Sequence, residues 1–374
     1  MVIPGSIQPE KESNPFYPYY GDYLLVHFGE NPAKGNRHLS KFYPPDVSGK
    51  RTYTFNSIGF RGDEFNPLAK KTIFVCGGSV AVGVGVADEE LWACQFKKKF
   101  AALRQLGQDE VNVMNFSQAA ASNDYTVRTL LSQCGRLKPD MVIAHLGGGE
   151  ARTEWFDHEF YHSVGPWIVD SPGTEKIYEA GKGYYSYYTP ELGLINVLKN
   201  ILLLQFFCEA RNIELIVLWT GYNKLSQVAL LQPFCQALAK MINMDNIFLP
   251  RDAVDWVIDV HHPGPSTHKL LALQLTDICQ LSGLHFNSVL CHTSVLRFHE
   301  EKKMAIILKE RHFQLTDDMF TLVKLIDGES TLSQLLYKAF GISELPPDKS
   351  SELLQALRLL VRFGVLHFKS SITA

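Results

Sequence analysis

The chain has 374 residues, enough for two domains, and its 46% hydrophobic and 20% charged residues describe an ordinary globular protein able to bury a large core. A formal net charge of −3 gives no basic surface for nucleic acid or for an anionic membrane, so neither is expected as a partner. The cysteines, at 76, 94, 134, 208, 235, 279 and 291, contain no Cys-x-x-Cys pair and fall mostly in apolar periodic segments, which predicts reduced core thiols and a cytoplasmic protein.

Residues 1–70 read as an irregular extension rich in Pro, Gly, Asn and Tyr, expected to pack on the main domain; its first twenty residues lack the apolar run of a signal peptide. From Lys71 onward the pattern alternates. Strands are predicted over 72–76, 111–116, 141–146, 213–219 and 246–249, and helices over 89–106, 123–136, 191–211, 224–243 and 266–281. The apolar stretch 195–208 is interrupted by Asn196, Lys199, Asn200 and Gln205, so it reads as a buried helix rather than a membrane span. Short apolar strands between helices predict an α/β domain over 71–285 with a mostly parallel sheet covered on both faces. Such sheets place their sites beyond the carboxyl ends of the strands, where Ser79, Asn115 and residues 147–150 emerge. An insertion at 151–190 carries Trp155, Phe156, Trp167, Tyr178, Tyr184, Tyr185, Tyr187 and Tyr188, and reads either as a wall beside the site or as a surface insertion with its own small core.

The rhythm changes near Val295. Strands over 295–300, 304–310 and 312–316, helices over 318–326, 331–340 and 348–363, and a last strand over 365–369 predict a small winged-helix α+β domain at 295–374. Ser330 or Thr331 suits the N-cap of its second helix.

The chemistry rests on two segments. Ser79 follows a predicted strand in Cys76-Gly77-Gly78-Ser79-Val80, where a glycine-flanked turn exposes a hydroxyl at the top of a sheet. Far downstream, Asp259-Val260-His261-His262 offers an imidazole and a carboxylate to orient it. Residues 76–92 resemble the first block of the SGNH (GDSL) hydrolases, residues 56–62 a lead-in found before that block, and Asp259-x-x-His262 the family's last block. The resemblance spans about residues 55–283 and implies a flavodoxin-like α/β/α fold, with Ser79 as nucleophile, His262 as general base and Asp259 as its orienter. It also implies oxyanion donors at Ser79, Ala120 and Gly149. The pattern departs from the family at Gly78, where an Asp is usual, and at Gly149, where the family places an oxyanion-binding Asn. Losing one such donor typically costs about 100- to 1,000-fold in turnover, so the implied enzyme is an SGNH-type serine hydrolase with an impaired oxyanion hole. Arg152 and Asn123 are candidate substitutes.

A second signal is His158-Glu159-Phe160-Tyr161-His162, the His-Glu-x-x-His spacing that holds zinc when it lies on a helix. Gly165-Pro166 would end such a helix early, and Ile168 stands where a third ligand would be, so no metal and no cofactor is expected.

The tail resembles PqqD-like domains, the recognition elements of pathways that make ribosomally synthesised and modified peptides (RiPPs), in Phe313-Gln314-Leu315-Thr316, in 325–335 and in 353–366. By that resemblance a leader peptide adds a strand beside His312, Phe313, Gln314, Leu315 and Thr316 and packs on Leu353, Leu357 and Leu360. The same leucines have core spacing, so some of them hold the domain together. A DNA-binding winged helix is disfavoured, because 348–363 carries only Lys349, Arg358 and Arg362 as cations. Three functions follow as expectations. The first is a RiPP-pathway hydrolase acting on the ester or amide of a bound precursor peptide. The second is a catalytically silent adaptor that passes the peptide to other maturation enzymes, and the third a cytosolic small-ester or carbohydrate esterase.

Overall fold

The structure, a computed structural model, describes residues 54, 56, 60–117, 121–147, 153–156, 161–164, 190–220, 233–248, 255, 262–292, 296–307, 311–342, 345–362 and 364–369. In chain order, β1 (Lys71–Gly77) leads through the one-turn α1 (Ser79–Val82) into α2 (Trp92–Leu103). Then come β2 (Val111–Asn115), α3 (Asn123–Arg136), β3 (Met141–Gly147), a hairpin of β4 (Thr153–Phe156) and β5 (Tyr161–Val164), and α4 (Pro190–Arg211). The α/β unit finishes with β6 (Glu214–Thr220), α5 (Pro233–Met241), β7 (Ile247–Phe248) and α6 (Pro265–Ile278). Its sheet has the order β2-β1-β3-β6-β7, with every pair parallel.

Both faces of this sheet are covered, which is why its strands are mostly apolar on both sides. Phe74, Cys76, Val142, Ala144 and Val217 pack with Leu130 of α3 and Val197 and Ile201 of α4. Ile73, Val75, Ile143, Ile216 and Leu218 turn the other way, onto Trp92 and Phe96 of α2 and Leu271 and Leu275 of α6. Ahead of the sheet, Phe60 packs edge-on against Phe116 at 5.4 Å, so the end of the N-terminal segment seals one face.

The second unit runs β8 (Leu290–His292), β9 (Leu296–His299), β10 (Met304–Ile307), β11 (Arg311–Gln314), α7 (Asp317–Leu325), α8 (Leu332–Phe340), α9 (Pro347–Arg362) and β12 (Leu366–Phe368). Strands β9 to β11 form an antiparallel sheet in the order β11-β10-β9. The last strand does not join it: β12 pairs with β8, so residues 290–292, ahead of the expected boundary at 295, pair within this unit. Its core holds Leu290, Ala305, Val323, Leu335, Leu357 and Leu366. The hydroxyl of Thr316 accepts the Met319 amide at the start of α7. Thr331 and Gln334 close a capping box on α8.

The two units meet where α6 packs on α9 and β12. Asp277 of α6 is wholly buried there: its Oδ2 meets Nδ1 of His367 at 2.5 Å and its Oδ1 accepts the Phe368 amide at 2.9 Å. No helix among the described residues is long and apolar enough to cross a membrane.

Candidate active site

Strand β1 has β2 on one side and β3 on the other, and the chain leaves β1 and β3 in opposite directions across the sheet. The carboxyl ends of β1 and β3 therefore flank the topological switch point, where open α/β sheets form their crevices. Ser79 is the second residue after β1 and the first of α1, at this point and half-buried. A Cβ on Gly77 would stand 2.6 Å from Cβ of His145 on the neighbouring strand and 2.9 Å from Cβ of Ala81, so only glycine lets α1 start so close to β3.

The turn is held by its carbonyls. The Ser79 carbonyl accepts the amides of Gly83 at 2.9 Å and Val84 at 3.1 Å. The buried Asn115 side chain donates to the Ala81 carbonyl at 2.9 Å, which ties the end of β2 to α1. Gly83 ends α1 with φ +81°. The guanidinium of Arg61 donates to the carbonyls of Val82, Gly83 and Val86.

His262 lies half-buried just before α6, whose N-terminal part packs on the short helical turn of residues 88–90 after the Ser79 loop. Asp255 caps α6: its carboxylate accepts the amides of Ser266 and Thr267, both at 2.8 Å, and the Thr267 hydroxyl at 2.7 Å. Partial burial opposes ionisation of Asp255, but these hydrogen bonds outweigh it and hold the carboxyl below its usual range. Among the expected catalytic and oxyanion residues, Ser79 and His262 come to the same pole of the sheet, while Asp259, Ala120 and Gly149 lie outside the described residues, as does Arg152. Asn123 is buried as the first residue of α3.

Two further histidines stand beneath this pole, and the sequence reading passed over both. His145 interrupts the apolar run of β3, with neither ring nitrogen hydrogen-bonded, and burial lowers its pKa to about 4. His268, on α6, takes the Trp92 amide on Nδ1 at 3.2 Å. Burial, then the nearby Arg61 guanidinium, lowers its pKa to about 3, and His145 and His262 add to the effect while Asp255 opposes it. Both imidazoles are therefore neutral at pH 7. A lone His in an otherwise apolar strand was the signal for His145, and an i, i+3 match with Leu271 on the buried face was that for His268.

The other candidates fare differently. His162 lies in β5, opposite Trp155 of β4, so the His-Glu-x-x-His stretch is not the helix that a zinc pair requires; His158 and Glu159 lie outside the described residues. None of the seven cysteines is in a disulfide, and burial pushes the Cys94 thiol up to about 11 and those of Cys134 and Cys208 up to about 12.

In the second unit the expected docking strand is shifted. His312, Phe313 and Gln314 lie in β11, whereas Leu315 lies beyond it and Thr316 is the cap of α7. Leu357 and Leu360 are core residues, buried from any ligand, and of the three expected groove leucines only Leu353 is partly exposed. Among the described residues β11 pairs on one side alone, with β10, and half-buried Phe313, Leu315, Leu353 and Leu354 pack on the same core. A cleft of about 620 Å³ opens between the units, lined by Arg104, Cys279, His285 and Phe368 among others, and neither Ser79 nor His262 reaches it.

A scan against protein-family models finds no match, and no curated protein matches the chain. Solved structures do align with it. The psychrotrophic esterase EstA from a Pseudoalteromonas species is 15% identical, with 56% of this chain and 97% of that one covered and a TM-score of 0.33. TesA is 16% identical, with 55% and 97% covered and a TM-score of 0.34. An alpha/beta hydrolase enzyme from the metagenome of Lake Arreo, Spain, is 9% identical, with 56% and 95% covered and a TM-score of 0.34.

Proposed function

We propose that this chain is a serine acyl hydrolase of the SGNH type that acts on a precursor peptide held by its C-terminal unit. The observation that carries the reading is the position of Ser79, on a glycine-flanked turn at the switch point of the sheet, at the pole where His262 also lies. In this reading His262 takes the Ser79 proton as the hydroxyl attacks an ester or amide carbonyl, and returns it to the leaving group. Water then attacks the acyl-enzyme by the same route. Asp259 orients His262, and the main-chain N–H groups of Ser79, Ala120 and Gly149 stabilise the oxyanion. Because Gly149 brings no side-chain amide, turnover is slow, and holding the substrate on the same protein compensates by raising its local concentration.

Peptide capture is supported by the place of β11 at the end of its sheet, where among the described residues it pairs with β10 alone. A leader strand would pair there, with side chains against Phe313 and Leu353. Cysteines that form no disulfide fit a cytoplasmic setting, where a RiPP precursor is made.

A fluorophosphonate probe followed by intact mass is expected to add one phosphonyl group per chain with loss of fluoride, and to leave Ser79→Ala unmodified. An unlabelled wild type at high probe concentration rejects the hydrolase and leaves the adaptor. Calorimetric titration with peptides encoded by short reading frames beside this gene is expected to show saturable one-to-one binding. Labelling without peptide binding selects the small-ester esterase instead.

A further inference from the structure

We infer that Arg61 is the positioning residue of the Ser79 turn, an inference that rests on Ser79 being the nucleophile. Arg61 is 3% exposed, and the described hydrogen bonds of its guanidinium all go to one loop. Nη1 reaches the carbonyls of Val82 at 3.1 Å and Gly83 at 2.6 Å, Nη2 that of Val86 at 2.7 Å, and Nε the Asp88 carboxylate at 2.8 Å. Three main-chain carbonyls converging on one point repel each other, and burial removes the water that would separate them. A planar cation with several fixed donors resolves this where a lysine, a point charge on a flexible stem, does not.

The loop that Arg61 fixes is the one that fixes Ser79. The amides of Gly83 and Val84 hold the Ser79 carbonyl, so a shift of residues 83–86 passes directly into the backbone that carries the hydroxyl. Arg61 is itself anchored from the N-terminal side. The Asn56 side chain accepts the Phe60 amide, the Gly62 amide reaches the Thr54 carbonyl, and the Thr54 amide reaches the second oxygen of Asp88. Thr54, Asn56 and residues 60–62 are thus tied to the loop through Arg61 and Asp88, and they supply the cation that the turn lacks.

The test compares Arg61→Ala and Arg61→Lys with the wild type in the rate of fluorophosphonate labelling at Ser79, and in hydrogen exchange of the amides of residues 83–88. A nucleophile misplaced by about 1 Å loses on the order of 100-fold, so Arg61→Ala is expected to label roughly 100-fold more slowly, with Arg61→Lys recovering only a small part. Millimolar guanidinium chloride is expected to restore labelling of Arg61→Ala, and the pH midpoint of labelling is expected to stay at the wild-type value, because Arg61 acts on geometry and not on the base. Faster exchange is expected at residues 83–88, with β3 and β6 unchanged. Labelling within about twofold of wild type, loss that guanidinium does not restore, or exchange that rises throughout the sheet overturns the inference. An unlabelled wild type instead defeats the hydrolase reading, and the exchange measurement alone then decides whether Arg61 braces the loop.

Discussion

Acidification from pH 7 to pH 4 is expected to strip several kcal/mol from the stability of this protein, chiefly through two buried histidines. In the folded chain the pKa of His145 is about 4 and that of His268 about 3. In the unfolded chain each returns to about 6.5. Both folded values are depressed, so the unfolded state binds these protons first. Stability is full above about pH 6.5 and falls as pH drops toward 4, where the folded His145 also begins to charge and its contribution levels off. His268 continues to destabilise down to about pH 3. With roughly 1.4 kcal/mol per unit, each histidine is worth about 3 kcal/mol over this window. That is large against the roughly 5–15 kcal/mol that holds a typical domain together.

Carboxylates also titrate in this range, so the histidine share is read from variants. His145→Phe fills a site where neither ring nitrogen has a partner, and should flatten the urea midpoint between pH 7 and pH 4 by about half of the histidine effect. Parallel curves for His145→Phe and wild type would refute the assignment.

Much of the architecture was legible because it follows from periodicity. The α3 helix runs Asn123–Arg136 as the pattern predicts, started by a Ser122 hydroxyl that accepts the Tyr125 amide. The central strands of the sheet read as largely apolar runs because they are covered on both faces. What a one-dimensional pattern does not encode is pairing between distant segments. The last strand was predicted but not its partner β8, since three residues at 290–292 carry no signal of their own until Leu366–Phe368 lie beside them. Thr316 was assigned to a strand because its neighbours alternate, yet its hydroxyl is engaged in capping α7, and the cap ends the strand two residues early.

The candidate site could be proposed from the sequence only where its residues are close together in the chain. Ser79 announced itself through its glycines, and His262 through its spacing from Asp259. Arg61, Asn115 and Asp255 act through contacts that span 11 to 34 residues of sequence, and each reads in isolation as an ordinary polar residue. The leucines of α9 show the converse. Their i, i+4, i+7 spacing marks a buried face with certainty, and Leu357 and Leu360 are buried, but spacing does not say whether a face meets the domain's own core or a guest peptide.

Replacing Asp277 by alanine is expected to cost about 3–5 kcal/mol, since it leaves the buried His367 ring and the Phe368 amide without their acceptor. Asp277→Asn retains an acceptor for the Phe368 amide and should cost less, about 1–3 kcal/mol. The double replacement Asp277→Leu with His367→Leu removes both polar partners together, and should recover most of the loss while leaving one amide unpaired. These three values, read from urea unfolding, separate a carboxylate that matters through its hydrogen bonds from one that merely fills space; near-equal costs for Ala and Asn would dismiss the pair. The site also determines how the molecule melts. Asp277 belongs to α6 of the α/β unit and His367 and Phe368 to β12 of the second unit, so the carboxylate bridges two units that also meet where α6 packs on α9 and β12 and where Arg362 of α9 donates to the Met244 carbonyl and pairs with Asp245. Calorimetry should therefore resolve one cooperative transition in the wild type and two in Asp277→Ala, with the second unit melting first. A peptide bound at β11 would still be gripped by that variant below its first transition, yet it would no longer be carried at a fixed distance from Ser79. Labelling of Ser79 by the small fluorophosphonate should then be unaffected, while turnover of a tethered peptide falls.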